Sequence, residues 1–483
     1  MIRQDFPRLA LYSSKSLRTK KNSLLCCENV LKSALGPRPP KRVRIPRLMP
    51  TNNWFRVPLR RFRIPPTEPT SSWRWRISTC RATREKQGVA QMTRLLFPTT
   101  DFLPKLSGVA TVGWGQAAGL ARLGHEVRVD TLDFGPLPPA LEIPQGLEIC
   151  AHSIRTRAIL RLVPIAQMVR RAIREYRPDC LYSTTYRGLG PVLALMAGKA
   201  GLRFALYIHG TELFTENRNL LRRKLMEYTF GRASLLLTNS ENTKRLIHEF
   251  FPRIQTPVVA LHPGIELEKY DSPQVFEQAK ELRARWLETC RASKDALILL
   301  TAARVTREKG IHLVMEALAS LHKTLPRTVL YIICGSGPDL EALKRLAKEL
   351  EVDRCTLFEG AISPLQLPAR YRAADIYVQP SNFDSFGISL VEAQYCGLPC
   401  VATRVGGIPE AVLDGQSALL VPLNDQAALQ NALRTVIEND ELRARMGEAG
   451  RKHAAQFSWD VHAQRLSQLL EAWCIPSLER TAR

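Results

Sequence analysis

The sequence predicts an α/β protein made of two consecutive doubly wound units, and three observations point there. From Met92 onward, short apolar strands alternate with helical patterns, as in a parallel sheet with crossover helices. Two such runs follow one another, joined near residues 261–273. Strands of the second run end in polar or glycine-rich turns, and in doubly wound sheets ligands bind beyond the carboxyl ends of the strands.

The elements follow in order. In the first unit, 92–270, the pattern predicts strands over 95–98, 126–131, 180–182, 204–209 and 235–239, with helices over 109–123, 161–176 and 220–230. In the second, "ALILLTAAR", "VLYIICGSG", "CTLFEG", "DIYVQPS" and "PCVATRVGG" read as strands, and helices are predicted over 310–321, 339–350 and 426–439. The 483 residues suffice for two or three domains. With 45% apolar residues the chain as a whole is not of disordered type.

Residues 1–91 differ in kind. They are rich in Pro and Arg ("GPRPPKRVRIPRLMP", "RVPLRRFRIPP") and show no sustained period, so they cannot bury enough apolar surface to offset their ordering entropy. A basic tail for membrane or nucleic acid and an Arg-rich transit peptide are both open readings. We expect an unstructured segment that belongs to no domain and precedes a start at Met92. It carries 17 of the 24 net positive charges, while 92–270 holds +8 and 271–483 holds −1. A nucleic-acid role suggested by the overall charge is therefore not expected of the folded part, whose basic stretches lack interleaved aromatics. No apolar run reaches 18 residues, and the N-terminus has no apolar segment with a cleavage site. The eleven cysteines are scattered, and Cys26-Cys27 has no partner pair at zinc spacing. A cytoplasmic protein with reduced thiols is expected.

Chemistry concentrates at predicted strand ends. In "TAARVTREKG", Arg304 and Lys309 follow a buried-looking strand and suit a polyanion such as a diphosphate, although cations there can equally be solvated. In "CGSGPDLEALKRL", Gly335 and Gly337 form a strand-to-helix turn, but the full G-x-G-x-x-G is absent because position 340 is Leu. In "NFDSFGISLVEAQYCG", a loop leads into a helix whose first-turn N–H groups form an anion site. Glu392 lies about one and a half turns into that helix and Asp384 just before it. The pair suits a nucleotide sugar, with Glu392 towards the ribose and Asp384 towards the transferred sugar; a plain helix cap is the competing reading of Asp384.

The stretch "SNFDSFGISLVEAQYCGLPCVATRVGGIPEAVLDGQSALLVP" resembles the nucleotide-diphospho-sugar site of retaining glycosyltransferases of family 4, which have the GT-B fold of two Rossmann-like domains facing across a cleft. The resemblance extends over roughly residues 92–475, through "LPKLSGVATVGWGQAAGLARLGHEVRVDT", "YIHGTEL", "HPGIE" and "FSWDVHAQRL". It implies an acceptor-side domain over 92–270, a donor domain over 271–457 and a helix over 458–475 crossing back to the first. It further implies that Arg304 and Lys309 bind the donor diphosphate, with the backbone of Phe386, Gly387 and Ile388 as the phosphate-contacting helix start. Glu392 would hold the ribose, Asp384 the donor sugar, and Gly108 would face the donor from the first domain. His209 in "IHG" matches a histidine near the sugar. Asp384 stands where the family most often has Glu, and Ser107 replaces the first glycine of a Gly-Gly loop.

The function implied is hexosyl transfer from a nucleotide sugar, with retention, to a glycan, lipid-linked or small-molecule acceptor. No metal or other cofactor is expected, since no D-x-D triplet occurs after residue 92. A hydrolysing sugar-nucleotide epimerase would share this donor site. Seven arginines between Arg155 and Arg177, with Arg218, Arg222, Arg223 and Lys224, suggest peripheral contact with an anionic membrane at its inner face, against a merely solvated helix face.

Overall fold

The computed structural model describes residues 73–75, 93–105, 107–139, 141–154, 162–322 and 324–474. Met92 and the Cys26-Cys27 pair lie outside them, as do Arg155, Arg157 and Arg161.

The first run of elements is β1 (Trp73–Trp75), β2 (Arg94–Pro98), α1 (Gly108–Arg122), β3 (Glu126–Leu132), β4 (Leu147–His152), α2 (Leu162–Tyr176), β5 (Cys180–Ser183), α3 (Gly190–Ala200), β6 (Arg203–Ile208), α4 (Thr211–Glu216), α5 (Leu220–Phe230), β7 (Leu235–Thr238), α6 (Glu241–Phe250) and β8 (Val258–Ala260). Its strands form one sheet in the order β1-β4-β3-β2-β5-β6-β7-β8. All neighbours are parallel except β1, which pairs antiparallel with β4, Arg74 opposite Cys150. This edge strand lies within the segment 1–91 expected to belong to no domain, and it is the part of that segment the structure describes. A three-residue strand leaves no readable period, and it exists because β4 offers it an open edge. Also unforeseen are β4 and α3, and β6 stops at Ile208, leaving His209 as the first residue beyond the strand.

The second run is α7 (Pro273–Thr289), β9 (Leu297–Ala302), α8 (Ile311–Leu321), β10 (Val329–Cys334), α9 (Leu340–Glu349), β11 (Thr356–Gly360), α10 (Leu367–Ala373), β12 (Ile376–Gln379), α11 (Ile388–Tyr395), β13 (Cys400–Thr403), α12 (Ile408–Ala411), β14 (Ala418–Val421), α13 (Gln426–Glu438), α14 (Asp440–Ala454) and α15 (Trp459–Cys474). Its sheet is wholly parallel, in the order β11-β10-β9-β12-β13-β14. Every residue of β9, β10, β12 and β13 is buried, as expected for strands covered on both faces.

Two segments join the sheets, one outward after β8 and one back before α15. They hydrogen-bond to each other, Ile265 N–H to the Phe457 carbonyl and Trp459 N–H to the Ile265 carbonyl. Helix α15 then lies against α1, and its Leu466, Leu469 and Leu470 are buried in the core of the first sheet. At about 1.5–3 kcal/mol for each fully buried leucine, detaching this helix would cost several kcal/mol.

Candidate active site at the strand carboxyl ends

The loop after β9 is held from below by the turn after β10. A Cβ on Gly335 or Gly337 would fall 1.8 Å and 2.1 Å from the carbonyl oxygens of Ala303 and Val305, so only glycine allows this approach. Val305 N–H donates to the Ser336 carbonyl across the same contact. The G-x-G turn thus fixes the backbone on both sides of Arg304. The Arg304 side chain is exposed and makes no hydrogen bond or ion pair among the described residues.

Lys309 closes a short 3₁₀ turn, Arg307–Lys309, ahead of α8. Its Nζ donates to Asp384 Oδ2 at 2.7 Å. The same oxygen accepts from Gln379 Nε2 at 2.9 Å, and Oδ1 accepts from Phe386 N–H at 3.3 Å. Asp384 therefore pairs with the lysine, and the N-cap of α11 is Gly387. Gln379 is buried, and its Oε1 accepts from Ser389 Oγ at 2.7 Å, tying Asp384 to the first turn of the helix. In that turn Leu390 and Val391 N–H already turn back to the Gly387 carbonyl, leaving the Ile388 and Ser389 amides as the open donors. The Phe386 ring is buried and stacks on the His262 imidazole at 5.0 Å, so only its backbone faces the helix start.

Glu392, one turn further, is held from behind by two buried tyrosines. Tyr270 Oη donates to Oε1 at 2.6 Å and Tyr371 Oη to Oε2 at 2.9 Å, with Lys269 Nζ 3.6 Å from Oε1. Burial and the neighbouring carboxylate push both tyrosine hydroxyls far above their ordinary range, so they stay protonated donors. Each carboxylate oxygen retains acceptor capacity. Glu392 and Ile388 line a cavity of about 380 Å³, with Trp114 and Gly115 of α1 on its other wall. Neither tyrosine was foreseen. They come from 122 and 21 residues away, and no local pattern marks them.

Of the first-unit candidates, Gly108 is the exposed first residue of α1, and a Cβ there would meet nothing within 4 Å. Packing therefore does not require glycine at that position. Ser107 caps α1, accepting from Ala110 N–H at 3.0 Å and donating to Asp101 Oδ1 at 2.6 Å. His209 Nε2–H donates to the Thr184 carbonyl at 3.0 Å, which leaves Nδ1 as the acceptor. Burial lowers its pKa against the opposing pull of Glu212 and the Thr184 carbonyl, so the ring is neutral at pH 7. Asn239 Nδ2 donates both to the His209 carbonyl at 3.1 Å and to Ser385 Oγ at 2.9 Å. That side chain joins the His209 loop to the loop of Asp384. Lys309, Asp384 and the α11 start thus form one hydrogen-bonded group, reached from His209 through Asn239, and among the described residues neither Arg304 nor Gly108 is hydrogen-bonded into it.

Residues 284–453 match the family described as Glycosyl transferases group 1, and residues 106–269 match Glycosyltransferase Family 4. The chain is similar to the D-inositol 3-phosphate glycosyltransferase of Corynebacterium jeikeium, 34% identical over 262 residues that cover 53% of this chain and 60% of that one. It thus spans about three fifths of that relative's length. It is also similar to the D-inositol 3-phosphate glycosyltransferase of Streptomyces coelicolor, 35% identical over 402 residues that cover 76% of this chain and 87% of that one. Among solved structures, Anabaena HepE in complex with UDP and glucose superposes with a TM-score of 0.64 at 23% identity, covering 79% of this chain and 100% of that one. That likeness carries the fold, two doubly wound domains of GT-B type. The chain belongs to glycosyltransferase family 4.

Proposed function

We propose that the chain transfers a hexosyl group from a nucleotide-diphospho-sugar to a hydroxyl acceptor, with retention at the anomeric carbon. The observation that carries this reading is the group formed by Lys309, Asp384 and the open amides of α11, with Glu392 one turn beyond. When the anomeric C–O bond breaks, its electron pair passes to the diphosphate. Lys309 and the Ile388 and Ser389 amides would be fixed donors for that charge, and the exposed Arg304 guanidinium would add a second cation. Glu392, held by Tyr270 and Tyr371, would accept from the ribose hydroxyls. Asp384, itself held by Lys309 and Gln379, would accept from the sugar, and neutral His209 offers Nδ1 across the cleft. These side chains supply the cationic stabilisation themselves, and a metal-independent reaction follows from that assignment. Retention rests on family membership.

For the acceptor we favour an anionic polyol. Two relatives are named for inositol 3-phosphate, and the first unit carries the basic excess, +8 against −1. We also place the protein in the cytoplasm, with peripheral contact to anionic lipid through the layer of α2, α3 and α5. No described helix is long and apolar enough to cross a membrane. Leu220 and Leu221 are 77% and 69% exposed beside Arg222, Arg223 and Lys224, and Arg170, Arg171 and Arg174 line the outer face of α2. Exposed leucines among cations suit an anionic interface.

A thermal-shift panel of UDP-, GDP- and ADP-sugars tests the donor reading, because a ligand bound only by the native state raises its melting temperature. Absence of any shift with all three would overturn it. Donor cleavage without added acceptor at the full rate would favour the hydrolysing epimerase. Flotation with anionic and neutral vesicles at low salt tests the membrane contact, and equal binding to both would sink it.

A further inference from the structure

The glycine pair Gly406-Gly407 and Glu410, in "VGGIPE", have no part in the donor chemistry above. Their surroundings give them another. A Cβ on Gly406 would fall 1.9 Å from the Asp384 carbonyl oxygen, and one on Gly407 2.2 Å from that of Ser385. Gly407 N–H donates to the Asp384 carbonyl at 3.0 Å. The loop after β13 is thus pressed against the loop that carries Asp384. Three residues on, Glu410 reaches across to the first domain. Its Oε2 accepts from Glu241 N–H at 2.6 Å and its Oε1 from Asn242 N–H at 2.9 Å, the first-turn amides of α6. His262 Nε2 lies 2.9 Å from Oε2.

A carboxylate from one domain therefore satisfies open amides at a helix start in the other, where the helix dipole also favours negative charge. Burial would raise the Glu410 pKa, but His262 and the amides of Asn242 and Glu241 outweigh it and hold the group below its ordinary range. The second crossing, Asn239 to Ser385, lies just before α6. Both crossings end on the segment of residues 239–242; Asn239 meets the loop that carries Asp384, and Glu410 extends from the glycine loop packed against it. Asn239 also holds the His209 carbonyl.

We infer that Glu410 is an interdomain positioning residue, whose carboxylate latches α6 onto the donor loop and so sets His209 opposite Asp384. The inference rests on the donor-site reading above. It predicts that latching matters for turnover more than for nucleotide binding, because the nucleotide contacts lie in the second domain.

The test uses the full chain with Glu410→Ala and Glu410→Gln. Hydrogen exchange at the Glu241 and Asn242 amides should rise at least tenfold in Glu410→Ala. Affinity for UDP or GDP, used as probes, should stay within threefold, while donor turnover falls tenfold or more. Glu410→Gln keeps one acceptor oxygen and should recover part of both losses, which a merely structural role would not produce. If the alanine variant fails to fold, the glutamine variant is read instead, with exchange expected to rise and turnover to fall by more than threefold. Exchange and turnover within threefold of wild type would overturn the latch. A wild-type chain that binds no nucleoside diphosphate would instead overturn the donor-site reading, and the exchange comparison would still decide the latch.

Discussion

Replacing Lys309 separates two roles that its geometry combines. Its ammonium lies 2.7 Å from Asp384, with the two side chains 25% and 15% exposed. Partly exposed pairs of this kind are worth about 1 kcal/mol at most. Asp384 would keep the Gln379 amide and the Phe386 N–H as donors, so no carboxylate is orphaned. Lys309→Met should therefore lower the melting temperature by only about 2–4 °C. Losing one preorganised donor to the leaving diphosphate costs far more, about 2.7–4 kcal/mol, or a hundredfold to a thousandfold in turnover. Asp384→Asn isolates the other role. If Lys309 acts only by orienting Asp384, the double variant equals Asp384→Asn. If it also meets the diphosphate, the double variant loses at least another tenfold. Release of nucleoside diphosphate from donor plus acceptor measures turnover, and thermal melts of the same samples measure stability. Turnover within threefold of wild type in Lys309→Met would refute the assignment.

Two further outcomes follow from the same contacts. Tyr270→Phe and Tyr371→Phe each remove a hydrogen bond to the Glu392 carboxylate worth about 1.5–3 kcal/mol, and should raise the donor KM about tenfold while kcat changes less than threefold. A fall in kcat at unchanged KM would count against the ribose role. His462 is buried, its Nδ1–H donates to the His262 carbonyl at 2.6 Å, and Gln116 Nε2 lies 3.0 Å from its Nε2. Burial pushes its pKa down to about 4. Below about pH 6.5 the unfolded chain takes a proton that the native ring refuses, so stability is lost as pH falls from about 6.5 to 4, by at most about 3 kcal/mol for this group. Melting curves between pH 7.5 and 4.5 check this, and His462→Gln should flatten the slope; an unchanged slope would exclude the residue as a source.

What the sequence made legible was what repeats locally. The buried strands β9, β10, β12 and β13 read as continuous apolar runs, and their ends located Arg304, Lys309 and Asp384. The apolar spacing of α2, with Ile165, Met168, Val169, Ala172 and Tyr176 buried, marked that helix. The Gly335-Gly337 turn was ambiguous in sequence, since a nucleotide fingerprint and a tight turn look alike. Packing shows a turn, serving the loop of Arg304. What escaped was pairing over long separations. Tyr270 meets Glu392 across 122 residues and Glu410 meets α6 across about 169, and neither leaves a period or a spacing to read. The edge strand β1 escaped because three residues are too few for alternation, and its pairing depends on β4.

The long-range contacts that sequence could not reveal are also those that make the proposed donor site draw on both domains. Glu392 is held by Tyr270, which lies in the segment leading from the first sheet to the second. Asp384 is held by Lys309 and Gln379 within its own domain, but its loop is bridged to the first by Asn239, and the glycine loop packed on it is bridged by Glu410. On the proposed assignment, ribose and sugar would be served by carboxylates that depend differently on the first domain. The Tyr371 bond to Glu392 stays within the second domain, so Glu392 keeps one of its two tyrosine partners without the first. The His209 carbonyl is tied to the Asp384 loop through Asn239, so on the same proposal its place at the sugar end would depend on the 239–242 segment. The proposal would then have nucleotide bind before the sugar site is complete, which would limit exposure of the activated donor to water.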